Sequence, residues 1–195
     1  MKIIDISQEL LSCRVYEGDP EPKIETIQSM NGGDLYNLSS LSLCLHNGTH
    51  IDAPNHFIKD GKTVDQVPLS TLVGYCYIAE HQGDVTAEDA KEVLRKARAA
   101  EAEERILLKG DLTVTEDGAR AFADGGILLL GNEGQTVGPE DAPMAVHLIL
   151  LSKEIILLEG IVLDDVHEGK YLLSAAPLNI RGAEGSPCRA WLIEL

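Results

Sequence analysis

Three of the six histidines of this chain fall within eleven residues, and their spacing is typical of a metal site. They belong to the run His46-Asn47-Gly48-Thr49-His50-Ile51-Asp52-Ala53-Pro54-Asn55-His56. Gly48 allows a sharp backbone turn, and in an extended segment after it the side chains of His50 and Asp52 point the same way. Neutral imidazoles and a carboxylate that converge on one point bind divalent zinc, manganese or iron.

A solvated loop is the alternative interpretation of this run, because the same side chains could simply point to water. A single histidine is more often a surface or hydrogen-bonded core residue than a ligand. Three imidazoles and an acid, however, are unlikely core residues without a counter-charge, because desolvation and repulsion oppose their burial. The cluster as a whole therefore favours a metal site.

A second pair of possible ligands lies about a hundred residues further along the chain. His147 falls in a helix expected to begin near Pro143, and Glu159 ends the apolar strand candidate 155–159. Open α/β sheets commonly form their sites at such strand ends. Taken alone, each residue is more simply a half-buried helix histidine or a charge at the end of a strand.

The elements that must position these residues follow from hydrophobic periodicity. Segment 40–46 alternates, with Leu41, Leu43 and Leu45 on one face, which predicts a strand with that face on the core and His46 on the polar face. Further strands are predicted at 72–80, 106–108, 127–130, 155–159, 171–173 and 188–195.

Three helices are predicted between these strands. The first begins with a capping box at Thr86 and Asp89, the second begins after Thr115 and ends at Gly125-Gly126, and the third covers 143–152. Strands followed by alternating helices and strands predict an α/β or mixed α+β fold, one domain over 1–195 with a mixed sheet.

Composition excludes several classes of function. With 44% hydrophobic and 25% charged residues in 195, the chain can bury a core and is not disordered. The 32 acidic residues outnumber the 16 basic ones, which gives a net charge of −16 and makes nucleic acid and anionic membranes poor partners. We expect no membrane span and no signal peptide. Together with the four dispersed cysteines, this expectation predicts a cytoplasmic protein.

The run 46–56 matches the pattern HxGTHxDxPxH, and on it the chain resembles the bacterial kynurenine formamidase and cyclase-like family of metal-dependent hydrolases. Further segments that resemble this family in order are 16–20, 68–74, 147–160, 176–178 and 185–190. The resemblance therefore extends over nearly the whole chain.

This resemblance implies two divalent metal ions per chain, zinc first and manganese or iron as alternatives. The ligands that it implies are His46, His50, Asp52, His147 and Glu159, with the carboxylates bridging. It also implies that His56 donates and accepts protons, and that Tyr16 lines the substrate pocket where the family has a tryptophan. A partly barrel-like mixed sheet flanked by helices, of the swivelling β/β/α type, and a homodimer or tetramer are further expectations from the resemblance.

The activity implied is hydrolysis of a C–N amide bond by a metal-activated water, as in arylformamidase, which converts N-formyl-L-kynurenine to kynurenine and formate in tryptophan catabolism. Two departures from the family leave this small-molecule substrate open. Tyr16 replaces the tryptophan, and in segment 131–138 Glu133, Thr136 and Gly138 replace an Asp, a Ser and an Asp. The alternatives are a hydrolase of cyclic amides or lactones, similar to isatin hydrolase, and a metal-dependent protein that binds a small acid without turnover.

Overall fold

The computed structural model describes residues 1–194, and its main feature is a nine-stranded mixed sheet curled into a half-barrel. Four neighbouring strands at its centre run parallel, namely β5 (Val73–Glu80), β7 (Arg105–Lys109), β9 (Leu129–Asn132) and β10 (Ile156–Glu159). Each flanking strand pairs antiparallel with its neighbours. These strands are β1 (Lys2–Asp5), β13 (Trp191–Glu194) and β11 (Gly169–Ser174) on one side, and β4 (His50–Asp52) and β12 (Gly185–Pro187) on the other. The predicted mixed α/β fold is confirmed.

The central strands are buried on both faces, which explains their continuous apolar sequences. In β7, Leu107 contributes to one hydrophobic cluster, while Ile106 and Leu108 contribute to a second cluster on the opposite face. The second cluster is covered by helices α2 (Ala87–Ala99), α3 (Glu116–Gly125) and α4 (Met144–Leu151). A one-turn helix, α1 (Leu69–Leu72), precedes β5.

The helix boundaries confirm the capping signals in the sequence. The Thr86 hydroxyl accepts the backbone N–H of Asp89, and the Asp89 side chain accepts the backbone N–H of Thr86 in return. Helix α3 ends at Gly126, whose φ of 76° is in the left-handed region that glycine adopts without strain. These caps stabilise the helices through local contacts that do not involve the sheet.

The prediction of a core-facing strand at 40–46 is wrong. The strand present, β3 (Leu38–Ser42), pairs only with β2 (Lys23–Gln28) in a separate two-stranded ribbon, and the chain turns at 45–46. Leu41 is 50% exposed. Alternation identified an extended segment correctly, but it could not show that the partner strand is itself exposed and leaves Leu41 uncovered.

Other differences concern short strands and element ends. The predicted strand 127–130 begins at Leu129, and the predicted strand 188–195 comprises Trp191–Glu194, while Leu195 lies outside the described residues. The sequence did not predict the short strands β1, β2, β4 and β12, nor a small parallel pair formed by β6 (Gly83–Val85) and β8 (Leu112–Val114). Within residues 1–194, no helix is both long and apolar enough to cross a membrane.

Candidate metal centre

The pairing of β4 with β10 brings the two distant parts of the sequence together. These strands are antiparallel neighbours, with His50 opposite Glu159 and Asp52 opposite Leu157. Glu159 ends β10, as the sequence predicts, and all three ionisable side chains are buried. These two strands, close to one edge of the sheet, therefore place one imidazole and two carboxylates next to one another.

Asp52 lies at the centre of the cluster. Its Oδ1 atom lies 2.7 Å from His46 Nδ1 and 3.5 Å from His50 Nε2. His46 reaches this position from the turn after the β2–β3 ribbon, not from the end of a strand. His50 Nε2 also lies 3.5 Å from Glu159 Oε2.

Helix α4 contributes the fifth donor, His147, from its first turn. The Nε2 atom of His147 lies 3.5 Å from Asp52 Oδ2 and 3.4 Å from Glu159 Oε1. Its Nδ1–H donates to the backbone carbonyl of Pro143 over 2.9 Å, which leaves Nε2 facing the carboxylates. The sequence-predicted helix thus places its histidine against the β4–β10 pair.

The five side chains form two overlapping groups that share Asp52. In each group the donor atoms lie within 4.8 Å of one another: His46, His50 and Asp52 in the first, Asp52, His147 and Glu159 in the second. The Oδ2 atom of Asp52 is buried and accepts no hydrogen bond, although burying an unpaired carboxylate oxygen is costly. An acceptor left open among imidazole nitrogens fits a divalent cation, and the nitrogen and oxygen donors fit zinc, manganese or iron.

The charges of the cluster are mutually dependent. Burial opposes a charge on each histidine, but hydrogen bonding to Asp52 raises the pKa of His46 to about 9. For His147, the carboxylates of Asp52 and Glu159, whose oxygens lie 3.5 Å and 3.4 Å from Nε2, likewise overcome burial and raise the pKa to about 10. Burial also opposes ionisation of Asp52, yet His147 and His46 hold its pKa well below the ordinary value. In the metal-free protein, protons on the imidazoles therefore compensate the buried carboxylates.

His56 lies beside the cluster and belongs to neither group of donors. Its Nε2 atom is 3.9 Å from Asp52 Oδ2, and its ring is tilted by 30° against that of His46 with centroids 4.1 Å apart. A short 3-10 turn over Pro54–His56 brings the side chain back to the cluster, as the sequence predicts from the proline. Burial lowers the pKa of His56, so its imidazole is neutral at pH 7.

A cavity of about 250 Å³ opens onto these residues. Its further lining consists of Tyr16, Asp19, Phe57, Gln135, Thr136 and Pro143. The Tyr16 hydroxyl donates to the backbone carbonyl of Glu140 over 2.7 Å, and Arg14 forms an ion pair with the Glu140 carboxylate. These contacts hold the segment that carries Tyr16 across the mouth of the cavity.

The segment 131–138, which departs from the family pattern, has three different local roles. The Glu133 carboxylate accepts the backbone N–H groups of Gly110 and Leu163, each over 2.8 Å, and so fastens two loops. Thr136 lines the cavity. A Cβ at Gly138 would lie 3.1 Å from the Val146 Cβ, so there is little room for a longer side chain.

Sequence reasoning assigned no role in the site to Asp19, Phe57, Gln135, Pro143 or Glu184. The Phe57 ring contacts those of His147 and His56, with centroids 4.8 Å and 4.5 Å apart, and its position directly after His56 was the only signal for it. Glu184 Oε1 lies 3.5 Å from His46 Nε2. No spacing rule connects residues 138 positions apart, and only the pairing of β12 with β4 brings them together.

Comparison with known proteins identifies the family. Residues 4–140 match the model of the family described as "Putative cyclase". The chain belongs to this family. The resemblance seen in the sequence is thereby confirmed, and the matched residues include the run 46–56 that carries it.

Individual relatives match the chain over almost its full length. A protein named kynurenine formamidase from Salinibacter ruber (strain DSM 13855 / M31) is 33% identical over 206 residues, which cover 98% of this chain and 97% of that protein. A solved structure of a potential metal-dependent hydrolase with cyclase activity is 30% identical, with a TM-score of 0.80 over 98% of this chain and 96% of that one.

An isatin hydrolase bound to the product analogue thioisatinate shares the same fold. Its TM-score is 0.83 over 100% of this chain and 93% of that one, at 19% identity. At this identity the likeness concerns the backbone architecture alone.

Proposed function

We propose that this chain is a metal-dependent hydrolase that cleaves the C–N bond of a linear aryl formamide, with N-formyl-L-kynurenine as the substrate. The observation that carries the proposal is the unpaired, buried Asp52 Oδ2 atom among four other donor side chains, beside a cavity that also holds a neutral histidine. The 33% identity to a kynurenine formamidase over nearly the full chain supports the choice of substrate.

The metal centre would consist of two divalent ions, zinc first, with manganese or iron as alternatives. His46, His50 and Asp52 would hold one ion, and Asp52, His147 and Glu159 the other. When bound, such ions supply an activated water and stabilise negative charge that develops on a carbonyl oxygen. Helix α4 and strands β4 and β10 fix the donors in advance, so little rearrangement is needed on binding.

His56 would transfer the proton in this reaction. Its imidazole lines the cavity, is neutral at pH 7 and lies outside both donor groups, so it is free to accept a proton from the attacking water. The same nitrogen can then donate that proton to the leaving aryl nitrogen, which must be protonated before the aniline departs. Contacts with the rings of His46 and Phe57 keep the imidazole in place.

Tyr16 and Phe57 would bind the aromatic ring of the substrate. Both line the cavity, and the Tyr16 side chain is held by its hydrogen bond to Glu140. Tyrosine gives a smaller ring than the family's tryptophan but adds a hydroxyl, so the cavity is expected to accept N-formyl anilines of more than one shape.

A substrate panel tests the proposal. Zinc-loaded protein is assayed with N-formyl-L-kynurenine, other N-formyl anilines, isatin and small lactones, and Asp52→Asn serves as the variant that lacks the shared carboxylate. We expect turnover of the formamides, with loss of turnover and of bound zinc in Asp52→Asn.

Turnover of isatin or lactones without any of formamides would show instead a hydrolase of cyclic substrates. Ligand binding without turnover, unchanged in His56→Gln, would show a non-catalytic binding protein. Either result would overturn the proposed activity.

A homodimer or tetramer of this single domain, 1–195, is part of the proposal. The β2–β3 ribbon exposes apolar side chains that a second copy could cover, among them Ile24 at 58% and Leu41 at 50% exposure. Sedimentation of the wild-type protein and of Ile24→Ser/Leu41→Ser should give a dimer or larger species for the first and a monomer for the second. The cytoplasmic location stays a prediction from the sequence.

A further inference from the structure

The second ring nitrogen of a metal-binding histidine commonly donates to a carboxylate or a backbone carbonyl, which fixes the tautomer and the ring orientation. Two histidines of the cluster follow this rule with backbone partners. The Nδ1–H groups of His50 and His147 donate to the carbonyls of Gly48 and Pro143, over 3.0 Å and 2.9 Å. Both rings therefore present Nε2 to the carboxylates.

His46 is oriented in the opposite way. Its Nδ1 atom faces the cluster, 2.7 Å from Asp52 Oδ1, so that Nε2 points away from it. This Nε2 atom is buried and makes no hydrogen bond, and Glu184 Oε1 lies 3.5 Å from it. A buried ring nitrogen without a partner is costly, and the nearby carboxylate is the group that can satisfy it with a small side-chain movement.

The backbone at 184–185 packs directly against the His46 ring. The Glu184 carbonyl accepts the backbone N–H of Ala53 over 2.8 Å, and the next residue, Gly185, lies opposite Asp52 in the β12–β4 pair. A Cβ at Gly185 would lie 2.5 Å from His46 Cε1, so the ring occupies the space that glycine leaves free. Gly185 at the start of β12 thus leaves space for the ring, and Glu184, the residue before this strand, provides the nearby carboxylate.

We infer that Glu184 is a positioning residue that accepts a hydrogen bond from His46 Nε2–H and thereby presents Nδ1 of His46 to the metal. The inference rests on the proposed metal-binding function. It gives the centre one histidine of the Nδ1-binding type and two, His50 and His147, of the Nε2-binding type. Glu184 is 40% exposed and acts through His46, without binding the metal itself.

Zinc affinity provides the first test. Metal-free wild-type protein, Glu184→Gln and Glu184→Ala are titrated with zinc against a chromophoric chelator. Loss of such a partner typically weakens binding about 10–100-fold, and for Glu184→Ala we expect the lower end because the carboxylate is partly exposed. Glu184→Gln, which keeps an acceptor oxygen, should fall between the other two. Glu80→Gln removes a carboxylate that is 51% exposed and does not line the cavity, and it is the matched control, with affinity as in the wild type.

Several outcomes would overturn the inference. Equal losses in Glu184→Gln and Glu184→Ala would mean that only the negative charge matters. A saturating stoichiometry that falls from two ions to one in Glu184→Ala would make Glu184 a ligand. Unchanged affinity in both variants, with two ions bound to the wild type, would show that Glu184 does not position His46 and would leave the proposed function intact. Failure of the wild type to bind zinc would contradict the proposed function itself.

The tautomers provide a second, independent test. Long-range proton–nitrogen correlation spectra of the zinc-loaded protein, with each ring assigned by a single histidine substitution, distinguish a protonated from a metal-bound ring nitrogen. We expect protonated Nε2 and zinc-bound Nδ1 for His46, and the reverse for His50 and His147. The His46 Nε2–H proton resonance should shift upfield in Glu184→Ala. Zinc on Nε2 of His46 would contradict the inference directly.

Discussion

His56 differs from the other histidines of the cavity in the direction in which its surroundings shift its pKa. Burial lowers the pKa of His56, whereas contacts with Asp52 and Glu159 raise those of His46 and His147 above the ordinary value. A histidine that is neutral at pH 7 and belongs to no donor group is suited to proton transfer. His46 and His147, which are protonated in the metal-free protein, are suited to exchange their protons for a metal ion.

Replacing His56 by glutamine should therefore separate catalysis from metal binding. We expect kcat to fall by about 10²–10⁴, the usual contribution of general acid–base catalysis, while two zinc ions stay bound. Steady-state assays and plasma-emission metal analysis of the same sample measure the two quantities. The control is His167→Gln, at an exposed histidine outside the cavity, and loss of zinc from His56→Gln would make His56 a ligand instead.

Individual site residues were the part of the molecule most accessible from the sequence. His46, His50, Asp52 and His56 lie within eleven residues, so a local motif contains them, and a short turn at Pro54 suffices to gather them. Glu184 had no such signal. Its contact with His46 depends on the edge strand β12, whose three residues carry no hydrophobic pattern.

At the scale of elements, the junction between β10 and the loop before β4 positions the centre. Gly160 follows Glu159, and its carbonyl accepts hydrogen bonds from the Thr49 hydroxyl over 2.6 Å and from the Gln8 amide over 2.8 Å. Its φ is 67°, and a Cβ there would lie 2.4 Å from the carbonyl oxygen of Gly48. The end of β10 and the segment before His50 can approach this closely only with glycine.

Gly160→Ala should consequently move Glu159 away from His50. The control is Gly182→Ala, where φ is 78° and nothing lies within 4 Å of an added Cβ, so only backbone strain of about 1–2 kcal/mol is expected. Gly160→Ala should lower the free energy of unfolding by more than this and also weaken zinc binding. Denaturant unfolding with equal losses in both variants would show that crowding at Gly160 is unimportant.

The failed prediction for 40–46 has its cause at this scale too. Periodicity reports which face of a strand is apolar, but not which element covers that face. The helices were predicted closely because Thr86, Thr115 and Gly126 act locally, through caps that do not depend on the rest of the fold. The two-stranded ribbon depends on a pairing with β2, whose residues 23–28 gave no clear strand signal.

At the scale of the whole molecule, the buried cluster links stability to pH and metal. In the metal-free protein, the folded pKa values of about 9 for His46 and about 10 for His147 exceed the ordinary 6.5. Their stabilisation is therefore complete below pH 6.5 and is lost as the pH rises through 9 to 10. Zinc replaces these protons, so its binding releases them and strengthens with rising pH.

We accordingly expect the thermal midpoint of the metal-free protein to fall between pH 6.5 and 8.5, in the presence of a chelator. The increase in this midpoint on adding zinc should be larger at pH 8.5 than at pH 6.5. Scanning calorimetry at both pH values measures the difference. His147→Gln, which removes one of the two shifted groups, should show a weaker dependence of the metal-free midpoint on pH, and an equal dependence would contradict the account.

The most direct test of the central claim is turnover of N-formyl-L-kynurenine measured while zinc is added stepwise to the metal-free protein. Five donor side chains in two groups that share Asp52 predict activity that is absent without metal and reaches its plateau at two equivalents of zinc per chain. Full turnover in the chelator-treated protein, or a plateau at one equivalent, would contradict the two-ion centre.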